Sequence, residues 1–180
     1  MFRAAGRWVL RRSAGSEGVV AAPRNSGKWL TGALSASFRA PPDDVFALVT
    51  DLDRLPEWNR AVTKVLDRPA ALAPGAEWVV KVRPAGLPSW RSRSWLEELD
   101  PQRRVFRHRS KADDKNPSHA EWLWQVDEEP EGSRLTVSWE LHPMTAGRKF
   151  LAAPLRGRML VTTEVPDSLA ALARMLASGE

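Results

Sequence analysis

Val45-Phe-Ala-Leu-Val-Thr-Asp-Leu-Asp-Arg-Leu-Pro-Glu-Trp-Asn-Arg-Ala-Val62 is the stretch on which the fold turns. Ala40-Pro41-Pro42-Asp43-Asp44 stands in front of it. A proline near a first helical turn lacks an N–H that would be unpaired there anyway, and carboxylates just behind it favour the positive helix end. A helix is therefore expected over Val45–Val49, and Asp51 and Asp53 open a second short helix from Leu52 to Trp58. Upstream, Trp29 to Phe38 spaces its apolar residues loosely by two, as a first strand does.

Downstream, turn signals bound six extended segments, at about 61–68, 76–84, 89–99, 103–111, 119–127 and 134–142. Gly75, Pro84-Ala-Gly-Leu-Pro88, Asp100-Pro101, Asp113-Asp-Lys-Asn-Pro117 and Pro130-Glu-Gly-Ser133 separate them. Short strands joined by tight turns read as an antiparallel meander. Ala120, Trp122, Trp124 and Val126 share one face, as do Leu135, Val137, Trp139 and Leu141. The run Asp127-Glu-Glu-Pro-Glu131 reads as a solvated hairpin loop. Leu151, Leu155, Met159, Thr162, Val165, Leu169, Leu172 and Leu176 then recur at three- and four-residue steps, the stripe of a long amphipathic helix in which Pro166 is expected to force a kink or a break.

A chain of 180 residues is long enough for one well-buried core. Its apolar runs fall far short of the roughly 20 residues that cross a bilayer, so no integral membrane segment is expected and the protein reads as soluble and cytoplasmic. The absence of cysteine removes disulfides, thiolate metal sites and cysteine nucleophiles. The excess of Arg, with abundant Ala and Pro, reads as GC-rich coding of bacterial type. The net charge of +5 is concentrated in residues 1–28, where Arg3, Arg7, Arg11, Arg12, Arg24 and Lys28 face only Glu17. The remainder is neutral, which argues against a nucleic-acid partner, since phosphate binding needs clustered Lys and Arg. Residues 1–28 are expected to be a disordered basic tail; a transit peptide, a plain flexible tail and a misplaced start codon remain open. The domain is expected over 29–180, as a monomer or weak homodimer.

The segment Val45–Val62 resembles the hallmark region of the SRPBCC superfamily (START-like and polyketide cyclase/dehydrase proteins). Similar features are Gly75-Ala-Glu-Trp78 opening a strand, Leu99-Asp-Pro-Gln-Arg-Arg-Val105 at a hairpin and Gly132-Ser-Arg-Leu-Thr136 at the next. Arg60 departs from it, standing where members often carry proline after the Trp-Asn pair. The resemblance, over roughly 33–176, implies an α+β helix-grip fold: a curved antiparallel sheet of about seven strands around a long C-terminal helix, with two short helices after the first strand. It implies a cavity between sheet and helix for lipid-, polyketide- or steroid-like molecules, and no particular reaction.

In that frame the second short helix caps one mouth of the cavity, and its Trp58 contacts a ligand or else plugs the core. Strand faces put Trp78, Val80, Val82, Phe106, Trp122, Trp124, Trp139 and Leu141 on its concave wall, each equally able to serve as core packing. Ser92 and Ser94 face a ligand, or else Arg91 and Arg93 point inward, since a slip of one residue exchanges the faces. If Phe106 faces Trp122, His108 lies inward opposite Ala120, as a polar anchor or a general acid/base, while His119 points outward. His119 and His142 have opposite parity to the apolar face, so no metal site is expected, and no cofactor is called for. No Ser-His-Asp arrangement or phosphate-binding glycine loop is present in the sequence. The first functional expectation is the binding of an apolar small molecule; the second is a polyketide cyclase/aromatase-type enzyme using the same cavity; the third is a co-chaperone-like interaction module with an exposed apolar patch.

Overall fold

From Gly132 to His142 every odd-numbered residue is buried: Ser133, Leu135, Val137, Trp139 and Leu141. Such strict alternation gives an extended chain one face to bury, and the strand takes a partner on either side. The computed structural model describes Val20–Ala21 and residues 30–178. Its strands are β1 Val20–Ala21, β2 Thr31–Phe38, β3 Val62–Asp67, β4 Glu77–Val82, β5 Trp90–Asp100, β6 Val105–Ala112, β7 His119–Glu129 and β8 Gly132–His142. They form one antiparallel sheet in the order β1-β2-β8-β7-β6-β5-β4-β3. The last six strands are the expected meander, and β2 closes onto β8 with Thr31 opposite Glu140 and Phe38 opposite Ser133. Val20–Ala21 lie inside the stretch expected to be disordered, yet they add a two-residue strand to the free edge of β2; the rest of the expectation for 1–28 lies outside the described residues.

Asp127, Glu128 and Glu129 continue β7, so the acidic run is strand rather than loop and the hairpin turns on Pro130-Glu131 alone. Gly132 has φ of 141°, and a Cβ there would stand 2.0 Å from the Phe38 carbonyl oxygen, so only glycine lets this turn close against the end of β2. Ser133 Oγ donates to Ala40 O at 2.9 Å across the same junction.

Between β2 and β3 come α1 Pro42–Thr50 and α2 Leu55–Trp58. The first helix starts at the prolines as expected. The second is shorter than expected because residues 52–54 form a turn in which Asp51 Oδ1 accepts from Asp53 N at 3.0 Å. α1 buries Val45, Phe46, Leu48 and Val49.

The C-terminal helical run lies across the concave side. It consists of a π-turn Arg148–Ala152, α3 Ala153–Met159, a second π-turn Leu160–Glu164, and α4 Val165–Ser178. Ala153 N–H reaches back five residues to Arg148 O, and Val165 N–H likewise to Leu160 O. Pro154 and Pro166 each follow one of these wide turns by two positions. A proline offers no N–H and crowds the carbonyl four residues back, and the π-turn loosens the backbone there. The chain therefore runs through Pro166 without the expected break. Each π-turn also inserts a residue and rotates the stripe. The apolar stripe expected from sequence includes Leu151, Leu155 and Thr162, but Leu151 and Leu155 are 76% and 47% exposed and Thr162 is exposed. Ala153, Gly157, Leu160 and Glu164 are buried instead. A curved antiparallel sheet gripping a long C-terminal helix, with two short helices after the first long strand, is the helix-grip fold.

Candidate ligand cavity

Because adjacent strands are in register, inward side chains line up in rows across the sheet. One row runs Leu96 of β5, His108 of β6, Trp122 of β7 and Trp139 of β8, ending at Gly32 of β2. A Cβ on Gly32 would lie 2.3 Å from Trp139 Cζ2, so the indole occupies the space of the missing side chain. A neighbouring row runs Trp78, Ser94, Ser110, Ala120 and Leu141. Above these rows and below the C-terminal helix is a cavity of about 510 Å³, within the size range of small-molecule pockets.

Of the residues assigned to the wall from sequence, Trp58, Trp78, Val80, Val82, Ser92, Phe106, His108, Trp122, Trp124 and Leu141 all line this space. Trp139 does not; it is buried over Gly32. The cavity stays open although Trp58, Trp78, Trp122 and Trp124 line it, because these rings pack on one another and on Phe106. Trp58 meets Trp124 edge-on at 5.5 Å, Trp78 stacks on Phe106 at 6.0 Å, and Trp122 stacks on Trp124 at 6.4 Å. Ser92 and Ser94 face inward, while Arg93 points outward to Glu77 and Asp113.

His108 faces inward as expected, but through a different register: it opposes Trp122, and Phe106 opposes Trp124. The assumed pairing was off by two residues, and a shift of two preserves the face. Trp124 Nε1–H donates to His108 Nε2 at 3.3 Å, which leaves Nδ1 as the protonated nitrogen. Nδ1 is buried and has no hydrogen-bond partner of good geometry among the described residues. Burial pushes the His108 pKa down to about 3, with the Arg109 backbone working weakly the other way. At neutral pH the ring is an uncharged donor and a poor proton acceptor. Trp58 Nε1, also on a cavity residue, is likewise buried without an acceptor.

Sequence reasoning missed two charged residues. Arg156 and Glu164 line the cavity from the helical run and form an ion pair with each other. Burial lowers the Arg156 pKa to about 10, so the guanidinium remains charged at neutral pH, and it lies 5.9 Å from the Trp90 ring. Arg156, Leu160, Glu164 and Ser168 recur every four residues, a ridge whose polar members were the available signal. Ser168 Oγ donates to Glu164 O at 2.5 Å and accepts from Arg60 N–H at 3.0 Å, tying α2 to the helical run.

His119 and His142 were expected to have opposite parity to the apolar face and to form no metal site. They do have opposite parity to Ala120 and Leu141, but that parity places them together: they are directly opposed across β7 and β8, with rings 4.7 Å apart at the cavity rim.

Residues 31–177 match the family described as polyketide cyclase / dehydrase and lipid transport. The chain belongs to this family. Among solved structures, members of the same fold class include the aromatase/cyclase Zhui from Streptomyces sp. R1128, at 20% identity and TM-score 0.59, covering 83% of this chain and 92% of that one. A STAR-related lipid transfer protein fragment from Xanthomonas axonopodis matches at 16% identity and TM-score 0.61, over 96% and 99%. The protein TTHA0849 from Thermus thermophilus matches at 19% and 0.65, over 83% and 99%. No protein of curated function matches the sequence. At these identities the structural likenesses establish the helix-grip fold. The polyketide cyclase/dehydrase and lipid-transport family includes both reaction and transport in its description, and no helix among the described residues is long and apolar enough to cross a membrane.

Proposed function

We propose that this protein binds an apolar small molecule, of lipid, polyketide or steroid type, that carries at least one oxygen acceptor. The observation that carries the reading is the cavity itself: about 510 Å³ of space over a tryptophan-rich floor, lined by buried donors without a hydrogen-bond partner of good geometry among the described residues. Apolar walls supply affinity at ~0.8 kcal/mol per buried CH₂ before ordering costs. The orphan N–H groups of His108 and Trp58 favour a hydroxyl or carbonyl oxygen over a plain hydrocarbon, because an unpaired buried donor costs about 1–3 kcal/mol that such an oxygen recovers. Leu155 lines the cavity while half exposed, beside exposed Phe150 and Leu151, so apolar surface leads from solvent to the interior.

Native mass spectrometry of protein purified from its own host is expected to show a retained mass of a few hundred daltons. Protein that is consistently empty, and indifferent to added lipids, sterols and polyketides, overturns the reading.

A cyclase-type reading is supported by the same Nδ1–H, which would polarise a substrate carbonyl as a neutral donor. It requires no proton uptake by a ring whose basicity burial has removed. In that case His108→Ala abolishes turnover while binding persists.

A further inference from the structure

Where β7 begins and β8 ends, the ladder places His119 opposite His142 and Glu121 opposite Glu140, all with the parity opposite to cavity residues Ala120 and Leu141. Four groups able to ligate a metal thus occupy one two-by-two block on two adjacent strands. His119 Nε2 and His142 Nε2 both approach the same atom, Glu121 Oε1, at 3.9 and 3.6 Å, and His142 Nε2 lies 3.8 Å from Glu140 Oε1. The ligand atoms of His119, Glu121 and His142 all lie within 4.8 Å of one another.

These separations are too long for hydrogen bonds, which prefer roughly 2.7–3.2 Å. Two atoms each about 2.0–2.2 Å from one tetrahedral ion stand roughly 3.3–3.6 Å apart; Glu121 Oε1 and His142 Nε2 already stand at that spacing, and the remaining pairs close from at most 4.8 Å by side-chain rotation. The protonation pattern points the same way. His119 Nδ1 lies 3.4 Å from Pro117 O, a long contact that, since a carbonyl only accepts, favours the tautomer with the hydrogen on Nδ1. Nε2 then turns a bare lone pair toward the Glu121 carboxylate. Ligating histidines commonly donate their other N–H to a backbone carbonyl in this way. His142 Nε2 is buried with no hydrogen-bond partner among the described residues.

We infer that His119, Glu121 and His142, with Glu140 beside them, form a divalent transition-metal site of the Zn²⁺ class on the β7–β8 ladder, distinct from the ligand cavity's interior. Two imidazoles and a carboxylate suit Zn²⁺, Co²⁺ or Ni²⁺, whereas Mg²⁺ and Ca²⁺ prefer oxygen alone. An ion there clamps the open end of the hairpin at the cavity rim, beside the segment that leads to the C-terminal helix.

The test is calorimetric titration of tag-free full chain with Zn²⁺ and with Mg²⁺, accompanied by Co²⁺ absorption spectra. The expected result is one Zn²⁺ per chain with micromolar or tighter affinity, a visible Co²⁺ band that Zn²⁺ abolishes, and no Mg²⁺ uptake. His119→Ala, His142→Ala and Glu121→Gln are each expected to weaken Zn²⁺ at least about tenfold. Melting curves of the metal-free variants establish that they fold. Wild-type protein that takes up no Zn²⁺ at micromolar concentration overturns the proposal, as do folded histidine variants that bind as tightly as wild type.

Discussion

At the scale of single residues, His108 is the group whose chemistry the fold has altered most. Its ring is walled by Trp78 at 5.2 Å, Phe106 at 5.2 Å and Trp122 at 6.2 Å, and Trp124 Nε1–H donates to its Nε2 at 3.3 Å. The imidazolium is therefore disfavoured, and the folded pKa of about 3 lies below the ordinary 6.5. Above pH 6.5 the ring is neutral in folded and unfolded chains alike and carries no penalty. Below it the unfolded chain takes up a proton that the folded one refuses, and stability drains by about 1.4 kcal/mol per pH unit until the folded pKa is reached. His108→Leu removes this linkage. Urea titrations at pH 7.5 and 4.5 are expected to show wild type losing about 2–3 kcal/mol more than the variant over that interval. Equal losses would mean that the ring is solvated and the cavity wetter than its walls imply.

Between elements, the junction of α2 and the helical run depends on a small polar relay. Arg60 N–H donates to Ser168 Oγ, which donates onward to Glu164 O, and Ser168 is buried. Arg60 stands where proteins of the resembling pattern often carry proline, and the structure gives its backbone a task that proline cannot perform, because proline has no N–H. Ser168→Ala is expected to cost about 1–2 kcal/mol by stranding that donor, and Arg60→Pro a comparable amount. Since both remove the Arg60–Ser168 bond, the double variant should cost less than the two singles together, a shortfall that a chemical-denaturation cycle measures. Strict additivity would show that the bond contributes nothing. The same region marks where sequence periodicity failed. A strand's period of two survives any even slip, which is why His108 was placed inward even with Phe106 assigned the wrong partner. A helix's period of 3.6 does not survive an inserted residue, so the π-turns at Arg148–Ala152 and Leu160–Glu164 hid Arg156 and Glu164 and misplaced Leu151 and Leu155.

For the molecule as a whole, alternation in β7 and β8, the prolines before α1 and the Val45–Val62 segment carried enough information to assign the fold and most of the wall. The hollow was not legible, because whether indoles fill or line a space depends on how they stack on one another, and no one-dimensional pattern encodes that. Nor was the pairing of His119 with His142, which needed the hairpin register as well as the parity. The cavity therefore has to be tested as a volume. Val80 is buried on the wall opposite Ser92, with the helical run above it. Val80→Phe projects a larger apolar side chain into space that the fold leaves open. In a close-packed core such a change costs roughly 1–3 kcal/mol through strain. Here the ring has somewhere to go, so the melting temperature of the ligand-free protein should stay near that of wild type or rise. A bound ligand of matching size would instead be excluded, and any melting-temperature increase that it gives to wild type should shrink or vanish in the variant, because stabilisation by a ligand follows its affinity for the folded state. Calorimetric melts of both proteins, with and without the molecule recovered from the host, separate the two possibilities. A variant that is strongly destabilised while empty, yet still stabilised by ligand, would mean that the space over the tryptophans is packed in solution and that binding occurs elsewhere.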